Sequence, residues 1–189
     1  PKLALPALPV ERAAFQDWWL ADPRRDDGRV AGRLPPRGAA SPDVMVLVPE
    51  PEREDRESLL SGPQGRLLDA MLHAMGITPD AAYIASALPR HTPHADWQGA
   101  AAAGMGAALA RHVKLVAPRR LIVFGNNILP LLEGGLPNSP ADSQQFNHEG
   151  ASVALLVARD LGALLERPRW KAGFWQRWLE WTSTGAVGE

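Results

Sequence analysis

"VMVLVPEPEREDRESLLSGPQGRLLDAML", Val44 to Leu72, is the stretch on which the fold turns. Its first five residues form a continuous apolar run rich in Val and closed by Pro49, the composition of a strand buried on both faces. A dense loop follows, in which Glu50, Glu52, Glu54 and Asp55 alternate with Arg53 and Arg56. Ser61 with Gln64 three residues later makes a capping-box signature. Beyond it Leu67, Leu68, Met71, Leu72 and Met75 share one helical face, and Gly76 is placed to end the helix. Strand, acidic loop and amphipathic helix in that order are the unit of parallel α/β sheets, whose ligands bind at the C-terminal strand ends.

Working outward, three more strands are expected: "AAYIASAL" (Ala81 to Leu88), "RRLIVFG" (Arg119 to Gly125) and "ASVALLVA" (Ala151 to Ala158). Between them the sequence predicts a long Ala-rich helix over Trp97 to Ala117, stopped by Pro118, and a short helix over Asn126 to Glu133. A last helical region covers Leu161 to Trp181, interrupted near Pro168, and a first helix covers Val10 to Leu20. Ala21 to Asp43 reads as a linker rich in Gly, Pro and charges of both signs. The expected architecture is α/β: a three-layer αβα sandwich around a central four-stranded parallel sheet. One domain is expected over 1–189, with an N-terminal helix and linker in 1–43 and the core in 44–182.

The chain has 189 residues and no cysteine. Disulfides, thiolate zinc sites and iron–sulfur clusters are thereby excluded, and no metal or cofactor is expected. The formal net charge of −1 lacks the overall positive surplus of a strong nucleic-acid binder, which leaves only local arginine clusters for that role. No apolar run reaches the roughly 18 residues of a membrane span, so no membrane contact is expected. "PKLALPALPV" (Pro1 to Val10) carries three prolines and no small-residue cleavage site, and reads as an arm on the surface rather than a signal peptide. A cytoplasmic location fits this pattern.

Each strand-end loop carries groups with a functional and a plain reading. The carboxylates of "PEPERED" suit orienting a water or binding a metal, or else form a solvated loop with internal ion pairs. "PRHTPHADW" brings Arg90, His91, His94 and Asp96 together; His-x-x-His beside an Asp is a weak metal pattern, and Arg90 with the histidines suits phosphate. In "FGNN", Gly125 allows a close turn and Asn126 reads as the cap of the next helix. In "ARDLGALLERP", Arg159 and Asp160 occupy the place of a catalytic loop, and Asp160 is equally a cap. Trp170, Phe174, Trp175, Trp178 and Trp181 make an aromatic helix face, expected to pack in the core, with a protein-partner surface as the alternative. No Ser–His–Asp order, Walker loop or GxGxxG stands out.

From about Val30 to Trp178 the order and spacing of these segments resemble the uracil-DNA glycosylase superfamily, closest to its family 4 type. "VMVLVPEPEREDRESLLSGPQGRLLDAMLHAMGI" resembles the first strand, water-activating loop and helix of that family. "DAAYIASALPRHTP", "VAPRRLIVFGNNILPLLEGG" and "VALLVARDLGALLERPRWKAGFW" resemble its later segments, the last in place of a His-Pro-x-x-Leu-Leu-Arg motif. The resemblance implies catalytic positions at Glu50 or Glu52 and at Asp160. It implies base-binding positions at Leu60, where relatives stack an aromatic ring, and at Ser86, where they read uracil with an Asn. Arg53, Arg56, Arg90, His91 and Arg159 would then meet nucleic acid.

Most of these positions depart from the family pattern. Both glycines of its Gly-Glu-x-Pro-Gly loop are missing, and its four cluster cysteines are absent, one of them falling near Arg90. The single hydroxyl of Ser86 cannot supply the paired donor and acceptor of an amide. Asp160 stands where a His stabilises the departing base anion. An ionised carboxylate ~4 Å from that anion, at an effective dielectric near 20, repels it by about 4 kcal/mol. That is roughly a thousandfold in rate. The expectation is therefore a diverged glycosylase-like protein, catalytically weak or inactive, that binds DNA or a protein partner. The alternative is an active DNA glycosylase with another base preference, using a loop carboxylate to position water. A third reading is an unrelated α/β enzyme for small molecules or nucleotides.

Overall fold

The computed structural model describes residues 8–23, 28–38, 40–136 and 145–185. Six strands form one sheet: β1 (Arg37–Gly38), β2 (Val44–Val48), β3 (Ala82–Ser86), β4 (Arg120–Phe124), β5 (Gln145–His148) and β6 (Ala151–Ala158). Their order is β1-β3-β2-β4-β6-β5. The four inner strands are parallel, as expected, with Val46 level with Ile84 on one side and Ile122 on the other. The two outer strands are antiparallel additions, which the sequence reading did not contain.

Period-two alternation divides the sheet between two cores. Met45, Leu47, Tyr83, Ala85, Leu121 and Val123 face one layer, with α1 (Arg12–Ala21), α4 (Met105–Val116) and α5 (Leu129–Leu132). Val44, Val46, Val48, Ile84, Ile122 and Phe124 face the other, with α2 (Pro63–Ala74), α6 (Leu161–Glu166) and α7 (Pro168–Gly185). This is the three-layer sandwich. The aromatic face of α7 joins that second core: Phe174, Trp178 and Trp181 are buried, with Trp170 and Trp175 partly so. Core packing is thus the reading that holds for this face.

Several local expectations are corrected. The helix expected over Trp97 to Ala117 is two helices, α3 (Trp97–Ala102) and α4, separated at Gly104, whose φ of 94° only glycine adopts easily. The capping box does not form, because the residue preceding α2 is Gly62 and no side chain of Ser61 or Gln64 caps it. Asn126 does not cap either; it opens a 3-10 turn, Asn126–Ile128, that leads into α5. Asp160 does cap α6, accepting from the Ala163 N–H at 2.8 Å.

Arg111 of α4 ties the N-terminal part to the core, while Arg33 holds the linker to the end of α1. Arg33 donates to the Asp22 carbonyl at 2.7 Å, and Arg111 to the carbonyls of Leu8 and Pro9 at 3.0 Å each. Phe15 and Trp19 of α1 pack on His112 of α4. The first seven residues of the expected surface arm, and 24–27 and 39 of the linker, lie outside the described residues. Among the described residues no helix is long and apolar enough to cross a membrane.

Candidate functional site

After β2 the chain runs through α2 to β3 on one side, whereas β4 lies on the other side of β2. The helices after β2 and β4, α2 and α5, lie on opposite faces of the sheet. Loops that diverge in this way leave a crevice at the C-terminal strand ends. A cleft of about 300 Å³ is found there, and all four parallel strands contribute to it. Glu50 and Glu52 come from the loop after β2, His91 from that after β3, Asn127 from that after β4 and Asp160 from that after β6; Gln64 closes it from α2. A larger cavity of about 500 Å³ lies by β1 and the end of α2, with Ala82, the first residue of β3, in its wall. We place the candidate site at the smaller cleft, since the strand-end loops converge on it.

Glu52 and Asp55 shape the acidic loop. Glu52, 6% exposed, accepts the backbone N–H groups of Gly62, Gln64 and Gly65, each at 3.0 Å. It closes the start of α2 from ten residues upstream, satisfying donors that a helix leaves open and setting a carboxylate against the positive end of its dipole. The approach requires glycine. A β-carbon on Gly62 would lie 2.7 Å from the Glu52 Oε2, and one on Gly65 only 1.8 Å from the Leu60 carbonyl oxygen. Asp55, 7% exposed, accepts from the N–H groups of Glu52, Leu60 and Ser61 at 2.8 Å each and from the Ser61 hydroxyl at 2.7 Å.

These bonds fix Leu60 at a φ of 55°, a left-handed conformation that costs a non-glycine residue roughly 1–2 kcal/mol. Its side chain turns into the core beside Leu59 and Leu68. At 3% exposure Leu60 does not line the cleft, and neither does Ser86, at 2%. The Ser86 hydroxyl has no hydrogen-bond partner.

Glu50 is the loop carboxylate turned toward the β3 side. It accepts from the Thr92 N–H and stands 3.6 Å from His91 Nδ1, which also lies 3.1 Å from the Pro51 carbonyl oxygen. His94 is exposed, and among the described residues no three His, Asp or Glu side chains are grouped to hold a metal. The expected arginines scatter around the rim. Arg53 is exposed and lines the cleft; Arg56 is exposed and donates to the carbonyls of Arg53 and Asp55. Arg90 is half-buried, and Arg159 lies over the Trp170 ring at 4.2 Å. The structure therefore brings Glu50, Glu52, Arg53, His91 and Asp160 to one cleft and keeps Leu60 and Ser86 out of it. Sequence reasoning missed Asn127 and Gln64 in the lining. Asn127 stands in the "FGNN" loop already singled out, one residue beyond the Asn taken for a cap.

A family model described as "Uracil DNA glycosylase superfamily" matches residues 35–178, more than half of the chain. No curated protein matches.

Proposed function

We propose that this chain, which belongs to the uracil DNA glycosylase superfamily, is a diverged member that binds DNA at the strand-end cleft without appreciable uracil excision. The membership removes the reading as an unrelated α/β enzyme. One observation carries the proposal: the groups a glycosylase needs free are engaged elsewhere. Glu52 and Asp160 accept from helix-start N–H groups, while Leu60 and Ser86 are sealed beneath the cleft. A flipped base needs a pocket lined by groups that stack on it and read its edge. Here the two positions that do so in relatives offer a buried aliphatic side chain and a hydroxyl closed off from solvent.

A second reading rests on Glu50. It lines the cleft beside His91 and accepts one backbone N–H, against three each for Glu52 and Asp55. In an enzyme acting on another modified base in base excision repair, Glu50 would position the water.

The experiment pairs DNA binding at several salt concentrations with excision on oligonucleotides carrying uracil or other modified bases. Salt-dependent binding without excision supports the first reading. Excision of a base other than uracil, lost in Glu50→Gln, would favour the second. Robust uracil excision would defeat the first outright.

A further inference from the structure

Beside the cleft, two cations share one aromatic ring. Arg159 follows β6, Arg167 joins α6 to α7, and both guanidiniums lie over the indole of Trp170, at 4.2 and 4.5 Å from its centroid. Both arginines are exposed and Trp170 is half-buried. Among the described residues neither arginine makes an ion pair with a carboxylate. The ring's quadrupole attracts each cation and orients both. With no ion pair to either among the described residues, a bridging anion would offset their mutual repulsion.

The surroundings suit a strand rather than an isolated ion. Trp170 and Arg159 wall a second open cleft of about 350 Å³ with Asn126, Asn127, Asp160 and Ala163. Its carboxylate, Asp160, accepts the Ala163 N–H. Asn127 and Asp160 also line the first cleft, so the two clefts adjoin at the ends of β4 and β6. Planar guanidiniums form forked hydrogen bonds to phosphate oxygens, and amides such as those of Asn126 and Asn127 add neutral donors.

We propose that Arg159, Trp170 and Arg167 form a clamp for the phosphate backbone of a DNA strand whose bases lie toward the Glu50–Asn127 cleft. The proposal rests on the DNA-binding reading and adds to it which residues hold the backbone. Trp170 is a positioning residue: it acts by holding the two arginines.

The test is fluorescence anisotropy with a labelled single-stranded oligonucleotide at several salt concentrations. Each neutralised phosphate contributes about 0.7 to the salt slope for single strands. The double variant Arg159→Ala/Arg167→Ala should weaken binding about tenfold and flatten the slope by roughly 1.4, with an unchanged thermal melt. Arg119→Ala, at the other end of the sheet, should change neither quantity. Trp170→Phe should retain most of the binding, while Trp170→Ala should approach the double variant. Wild-type binding that survives in the double variant with its slope intact would overturn the clamp while sparing DNA binding. No DNA binding by the wild type at low salt would overturn both. Inorganic pyrophosphate binding as tightly as the oligonucleotide would overturn the assignment to a strand.

Discussion

If Glu52 closes the start of α2, replacing its charge must lower stability far more than replacing Glu50 or Glu54 of the same loop. Glu52→Gln preserves the shape of the side chain. The three backbone donors now reach it at 3.0 Å each, and two of them, on Gly62 and Gly65, share Oε1. Bonds to a charged acceptor contribute roughly 1 kcal/mol more than neutral ones, or about 3 kcal/mol over three. The amide also turns an N–H₂ toward a backbone N–H, leaving a donor unsatisfied for about 1 kcal/mol more. The expected loss is about 4 kcal/mol, a large share of the roughly 5–15 kcal/mol of a typical domain. At about 2–4 °C per kcal/mol for a chain of this size, the melting temperature should fall by roughly 8–16 °C. Urea denaturation followed by circular dichroism measures this, with the midpoint moving and the slope m unchanged. Glu50→Gln, which loses one backbone partner, should cost about 1 kcal/mol. Exposed Glu54→Gln should stay within about 0.5 kcal/mol of wild type. A Glu52→Gln protein as stable as Glu54→Gln would refute the structural role and leave Glu52 free for catalysis.

Three other perturbations probe the frame around the site. Gly65→Ala places a β-carbon 1.8 Å from the Leu60 carbonyl oxygen, and should destabilise by about 3 kcal/mol or more in the same urea assay. Burial pushes the Glu149 carboxyl up, but the donors on Arg111 and Lys114 outweigh it and hold the pKa below its ordinary 4.5. A depressed carboxyl stabilises above the unfolded-state pKa, so Glu149→Gln should cost about 2 kcal/mol near neutral pH. The gap to wild type should close as pH falls below 4.5. Tyr83 is buried against His112, 2.9 Å from its Nε2, and that burial pushes the phenol up to about 12, against the lowering effect of Arg12. Wild type should therefore lose stability as pH rises from 10 toward 12, whereas Tyr83→Phe should lack that dependence after an initial cost of about 1 kcal/mol.

The parallel core was legible because its strands are short apolar runs marked off by prolines and charged residues, a signal carried locally. The edge strands were not. Arg37–Gly38 is too short for periodicity, and Gln145–His148 pairs polar residues with a single Phe. Asp160 was readable as a cap because its partner is three residues away; Glu52 was not, because its partners lie ten to thirteen residues on. The loop's acidic character thus pointed to a site, while two of its four carboxylates serve to fold it. Glu50 and Glu52 could not be separated by spacing alone. Only the packing of Gly62 and Gly65 against the loop shows that it is Glu52 that the start of α2 engages. The Arg167–Trp170 contact escaped notice for a related reason: a single Trp on an aromatic helix reads as core, and its second face depends on where α6 ends.

The central claim, DNA binding without uracil excision, is met most directly by single-turnover excision on a uracil-containing oligonucleotide at protein concentrations that saturate binding. The account predicts a bound complex and no abasic product above the level of Glu50→Gln. Product formed rapidly by wild type, and abolished in a Glu50→Gln or Glu52→Gln protein that still folds and binds, would contradict it.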